Sequence, residues 1–168
     1  MLPIFKTEDL IVEAPLKPHH SRSNGGHIII FPVIEVEQRY ELPLDVAQKL
    51  MHLSMIVGEA ATNIMRKNGL DVIRGNYQDN GNWAYKPDAE WPPQVHLHIY
   101  LRTSDERHPD NDPRFQAFPD AIAIPSKGDD YYDKFEPLTE QDCNEIHDEI
   151  IRLLATEKYR VLEINEHV

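Results

Sequence analysis

His96 and His98 stand two residues apart in the run "WPPQVHLHIYLR". A strand sends successive side chains to opposite faces, so the two imidazoles would share one face with backbones about 6.6 Å apart. Gln94 and Tyr100 fall on that face, while Val95, Leu97, Ile99 and Leu101 fall on the other. Such a pair fits three kinds of chemistry. It could hold a metal, although a catalytic zinc takes a third histidine or a carboxylate and nothing marks which acid would serve. It could handle phosphate, one imidazole attacking and its neighbour donating a hydrogen bond, with no metal needed. Or it could be the polar outer face of a half-buried strand.

The chain around this pair has 168 residues, 40% hydrophobic and 27% charged, which suits one globular domain. With 29 acidic against 17 basic residues the formal net charge is −12. That field repels nucleic-acid polymers and anionic membranes, but leaves room for a small anionic ligand in a locally positive pocket. The single cysteine, Cys143, rules out an internal disulfide and a cysteine-based zinc cluster. No apolar run approaches the ~20 residues of a membrane span, and the opening "MLPIFKTEDL" lacks the basic start and apolar core of a signal peptide. A cytoplasmic location is the expectation.

The elements that must position the pair follow from periodicity. Asp9–Glu13 reads as a short strand, and the turn-rich "PLKPHHSRSNGG" leads to a buried β-branched strand in "HIIIFPVIEV". Pro43 opens a long helix over residues 44–68, closed by Gly69, with Ala47, Leu50, Met51, Ala61, Ile64 and Met65 at helical spacing. A short strand over 70–77, a loop, and the alternating strand 94–102 come next. Residues 103–137 form a long excursion whose aromatics, "RFQAF" and "YYDKF", give it something to dock with. Thr139 and Asp142 form a capping box for a last helix to about Glu157. The expected class is α+β, a mostly antiparallel sheet with a long helix and a C-terminal helix, in one domain over 1–168 with an extension from about 103.

"QVHLHIYLR" resembles the signature strand of the histidine triad superfamily of nucleotide hydrolases and transferases. "GGHIIIFP", the long helix, and the Asn-bearing "GNYQDNGN" before the histidine strand are similar to that family's elements in the same order, over roughly 24–102. The resemblance implies that a central histidine attacks the α-phosphate of a nucleotide, forming a covalent nucleotidyl-histidine. Only two of the three histidines are present. With Gln94 in the first place, His96 is the nucleophile, its other ring nitrogen held by a backbone carbonyl, and His98 is the donor. With His96 first, the nucleophile is His98 and Tyr100 takes the third place. The first register also sets Arg102 where many members carry an arginine. The resemblance assigns substrate contacts to His27, to Asn76 or Asn80, and to Arg102. It makes Ile29 and Phe31 candidates for a base pocket, though core packing is the stronger explanation for both.

What this implies is a nucleotidyl hydrolase or transferase acting on dinucleoside polyphosphates or nucleoside phosphoramidates. No cofactor is required, a divalent metal would arrive only with the substrate, and a homodimer is within the family's range. The alternatives are a nucleotide-binding module with little turnover and a metal-dependent hydrolase using His96 and His98. His19, His20, His52, His108, His147 and His167 show no spacing that demands a site and are expected to be solvated.

Overall fold

The structure, a computed structural model, describes residues 1–87, 89, 92–107, 122, 124, 129–162 and 164–167. Five strands form one antiparallel sheet: β1 (Leu2–Lys6), β2 (Leu10–Ala14), β3 (His27–Pro32), β4 (Val72–Gln78) and β5 (Leu97–Thr103), in the order β1-β2-β3-β5-β4. The histidine strand is therefore interior, with β3 on one side and β4 on the other. Its apolar row, Ile99 and Leu101, joins Ile28 and Ile30 of β3 in the core. Each such side chain taken from water contributes roughly 1.5–3 kcal/mol. The long helix α1 (Leu44–Lys67) covers that face with Leu50, Leu53, Val57, Ala60, Ala61 and Ile64. Its Gly58 has no room for a side chain, because Tyr77 of β4 lies against it.

Two boundaries depart from the sequence expectation. "MLPIFK" forms β1, a strand that the search for a leader passed over, paired with β2 across the turn at Thr7. β5 begins at Leu97 rather than Gln94. Pro92 and Pro93 have no N–H for a ladder, and the Val95 N–H donates to Val36 O at 2.9 Å outside the sheet.

The short helix α2 (Asp129–Tyr132) and the helix α3 (Glu140–Leu154) complete the chain. Of the expected docking aromatics, Tyr132 and Phe135 are buried against each other, whereas "RFQAF" lies outside the described residues. The expected capping box starts α3: the Thr139 hydroxyl accepts from the Asp142 N–H at 3.1 Å, and Asp142 accepts from the Thr139 N–H at 2.8 Å. Asp142 does more than cap. Arg22, from the connection between β2 and β3, donates to both its oxygens at 2.6 and 2.9 Å. The same connection is fixed by Arg22 N–H to Glu136 O at 2.8 Å, and by Asn24, which exchanges hydrogen bonds with the backbone of Arg107 at 2.8 and 2.9 Å. Gly25 must be glycine: its φ is 119°, and a side chain there would run into the Leu101 carbonyl of β5.

Burial alone would raise the Asp142 carboxyl, but hydrogen bonds from Arg22 and Thr139 outweigh it and hold it down from 3.8 to about 2. Replacing it strands a cap and a half-buried guanidinium. Asp142→Ala should lower unfolding stability by roughly 2–4 kcal/mol at neutral pH. A carboxyl depressed on folding stabilises above its unfolded pKa and ceases to as pH falls through the folded one. Urea midpoints of the two proteins should therefore converge between about pH 4 and about pH 2.

Candidate active site

Directly opposed residues of an antiparallel pair share a face. The register sets His27 opposite Tyr100 and Ile29 opposite His98 across β3 and β5. Across β4 and β5 it sets Asn76 opposite Tyr100 and Gln78 opposite His98. One face of the sheet, turned away from α1, thus carries His27, Asn76, Gln78, His98 and Tyr100. His96 extends the row just before β5, its ring stacked on Phe31 at 5.8 Å and edge-on to His98 at 4.6 Å.

Hydrogen bonds give these rings a direction. His96 Nδ1 lies 2.8 Å from Gln94 O, so it carries the ring proton and leaves the lone pair on Nε2. The backbone N–H of His19 donates to His27 Nδ1 at 3.2 Å. That nitrogen is therefore an acceptor, and the proton of neutral His27 sits on Nε2. His27 Nε2–H then donates to His98 Nδ1 at 2.8 Å. By the same logic His98 carries its own proton on Nε2. The chain ends in one nitrogen with a lone pair, on His96, beside one N–H donor, on His98.

The electrostatics agree with neutral rings. Burial first, then the nearby His96 and His19 rings, lowers His98 to about 2. Burial likewise lowers His27 well below the ordinary histidine range, helped by the surrounding imidazoles, and takes His19 to about 4. Burial also pushes the Tyr100 phenol upward, with its hydrogen bond from Asn80 drawing the other way, so Tyr100 keeps its proton. The donor role of His98 is thus that of a neutral N–H.

The expected substrate contacts divide. His27 is on the site face and 2% exposed, bonded to His98. Asn80 donates to Gln78 Oε1 at 2.9 Å and bonds Tyr100, so its amide organises the neighbours of the histidines. Asn76 shares the face, and among the described residues its buried Oδ1 has no hydrogen-bond partner. Arg102 is not brought into the site. It is 1% exposed and ion-paired to Glu106, which also accepts from the Thr103 N–H at 3.2 Å. The strand phase that puts Arg102 on the histidine face could not foresee this partner four residues on.

The expectation that His19 and His20 are solvated is corrected. His19 stacks on His27 at 5.0 Å, tilts against Tyr132 at 4.9 Å, and its Nδ1 lies 3.2 Å from the Tyr100 hydroxyl. His20 is fully buried and its Nε2–H donates to Leu101 O at 2.8 Å and Asn24 O at 3.1 Å. Both contacts span 81 residues, so no local spacing could have shown them. His147 is paired with Asp148 and Glu166, and His108 lies outside the described residues.

Solved structures share this arrangement of sheet and helices. A hypothetical histidine triad nucleotide-binding protein from Sulfolobus tokodaii superposes with a TM-score of 0.55 at 16% identity, over 92% of this chain and 87% of that one. A histidine triad protein from Marinobacter aquaeolei gives 0.53 at 19% identity, over 90% and 87%. The fold is that of the histidine triad proteins. A zinc-bound histidine triad family protein from Mycobacterium smegmatis gives 0.52 at 16%, over 90% and 84%. No protein-family model and no curated protein sequence matches the chain.

In this histidine triad fold, nitrogen atoms of His19, His27 and His98 lie within 4.8 Å of one another, a three-imidazole set of a kind that suits zinc. His27 and His98 would first have to give up their shared proton, and His96 is not in the set. A histidine titration by NMR checks the whole picture. His19 should titrate at about pH 4 and His98 at about 2, with His27 well below the ordinary histidine midpoint. His147 should titrate above the ordinary value, because Glu166 and Asp148 outweigh the lowering effect of burial.

Proposed function

We propose that the protein is a nucleotidyl hydrolase or transferase in which His96 attacks the α-phosphorus of a nucleotide conjugate, either a dinucleoside polyphosphate or a nucleoside phosphoramidate. The observation that carries this reading is the 2.8 Å bond from His96 Nδ1–H to Gln94 O. It fixes the tautomer with the lone pair on Nε2, as a nucleophile requires, and it favours Gln94 in the first place of the triad. The Sulfolobus tokodaii protein is named as a nucleotide-binding one, which supports the substrate class.

His96 Nε2 would form a bond to the phosphorus as the bond to the leaving group breaks, the leaving group departing with that electron pair and taking its proton from solvent. Water then attacks the same phosphorus and gives its proton to solvent, while the electron pair of the phosphorus–nitrogen bond returns to Nε2. His98 Nε2–H would donate to a non-bridging oxygen on which charge builds in each step. Gln94 contributes its carbonyl to His96, and its amide replaces the imidazole of a full triad. Phe31, stacked on His96, lies at the open end of the row, where a base would enter.

Two other readings keep specific support. The absence of a third strand histidine suits a nucleotide-binding module with little turnover. The three-imidazole set suits a metal-dependent enzyme. Turnover of a fluorogenic adenylate conjugate, with and without chelator, separates them. Activity should survive chelation, and His96→Ala should abolish labelling by an α-phosphate-labelled substrate. His98→Ala should still label, about 10²–10⁴-fold more slowly. Labelling that persists in His96→Ala and vanishes in His98→Ala would assign the nucleophile to His98.

A further inference from the structure

We propose that Gln78, at the end of β4, is a second hydrogen-bond donor to the α-phosphate, beside His98. This role rests on the nucleotide reading of the site given above. The β4–β5 register sets Gln78 directly opposite His98 on the histidine face. Opposed residues of an antiparallel pair have Cβ atoms about 5 Å apart, so the Gln78 amide is within side-chain reach of a phosphate held by His98.

The neighbours of the amide fix which end does what. The carbonyl oxygen of Ile122 can only accept, and Gln78 Nε2 donates to it at 3.3 Å. At the other end Gln78 Oε1 accepts from Asn80 Nδ2 at 2.9 Å. The Gln78 oxygen is thereby engaged, and its nitrogen keeps one hydrogen beyond the one given to Ile122. Asn80 cannot serve in the same way, because its amide also donates to the Tyr100 phenol and so uses both hydrogens. Gln78 is half-buried, where a donor meeting an anion counts for more than it does in open water. Charge builds on two non-bridging oxygens of the phosphate, and His98 offers one N–H. The remaining N–H of Gln78 is placed for the second oxygen.

Two measurements on the full chain test this role. The first needs no turnover: side-chain ¹H–¹⁵N spectra with adenosine 5′-monophosphate added. One Nε2 proton of Gln78 should move downfield together with the Nε2–H of His98, while the proton held by Ile122 O moves far less. A shift at His98 without one at Gln78 overturns the proposal and leaves the nucleotide reading standing; no shift at either overturns both. The second measurement compares the two diastereomers of an adenosine phosphoramidate carrying sulfur in place of one non-bridging oxygen, because sulfur accepts hydrogen bonds weakly. Gln78→Met, close in shape but without an N–H, should lower kcat/KM for the oxygen substrate about 10²-fold. The diastereomer whose sulfur faces Gln78 should lose far less than the other, since the wild type makes no good bond to that sulfur. Equal losses on both diastereomers would mark Gln78 as a structural residue only and overturn the proposal. The spectra use the wild-type chain, so they decide the matter even where Gln78→Met fails to fold.

Discussion

The hydrogen bond from His27 Nε2–H to His98 Nδ1 is the interaction on which the site depends, and the β3–β5 register is what permits it. A shift of one residue between the strands would turn His98 toward α1 and bury an imidazole in aliphatic surroundings. The apolar residues Ile99 and Leu101 of β5, packed with Ile28 and Ile30 of β3, prevent such a shift, since it would turn them out of the core. Hydrophobic burial on one face thus holds the hydrogen-bond geometry on the other. A neutral pair results, in which each ring has one donor and one acceptor nitrogen, and that asymmetry gives His98 its outward N–H.

Neutrality itself comes from burial. The imidazoles of His19, His27 and His98 lie together, and several charged ones would repel one another as well as lose hydration. The acidic excess of the chain is partly engaged elsewhere: Lys67 with Glu145, Asn63 with Glu149 and Lys158 with Glu59 tie α1 to α3 and to the residues after it, away from the histidine face. Glu106 is committed to Arg102 and to the Thr103 N–H, and Asp142 to Arg22 and Thr139.

The parts of this architecture that repeat locally were legible in the sequence. Period-two alternation put His96 and His98 on one face, period 3.6 gave α1, and Thr139 with Asp142 announced α3. The features that escaped are long-range or negative. β1 is short and was read only for what it lacked as a leader. Arg102 follows the strand phase onto the histidine face, and Glu106 removes it from use. His19 and His20 have no periodic signature, because their partners Tyr100 and Leu101 lie 81 residues further along the chain, on β5. The choice between Asn76 and Asn80 also needed the register, which places Asn76 opposite Tyr100 while Asn80 bonds Gln78 and Tyr100 from beyond the strand end.

The central claim is that His96 Nε2 forms the covalent bond. The most direct measurement is peptide mapping by mass spectrometry, at neutral to basic pH, of protein quenched during turnover of a nucleoside phosphoramidate. The account predicts one added nucleoside monophosphate, carried by His96. An adduct on His98, or turnover with no adduct on either histidine, would contradict it.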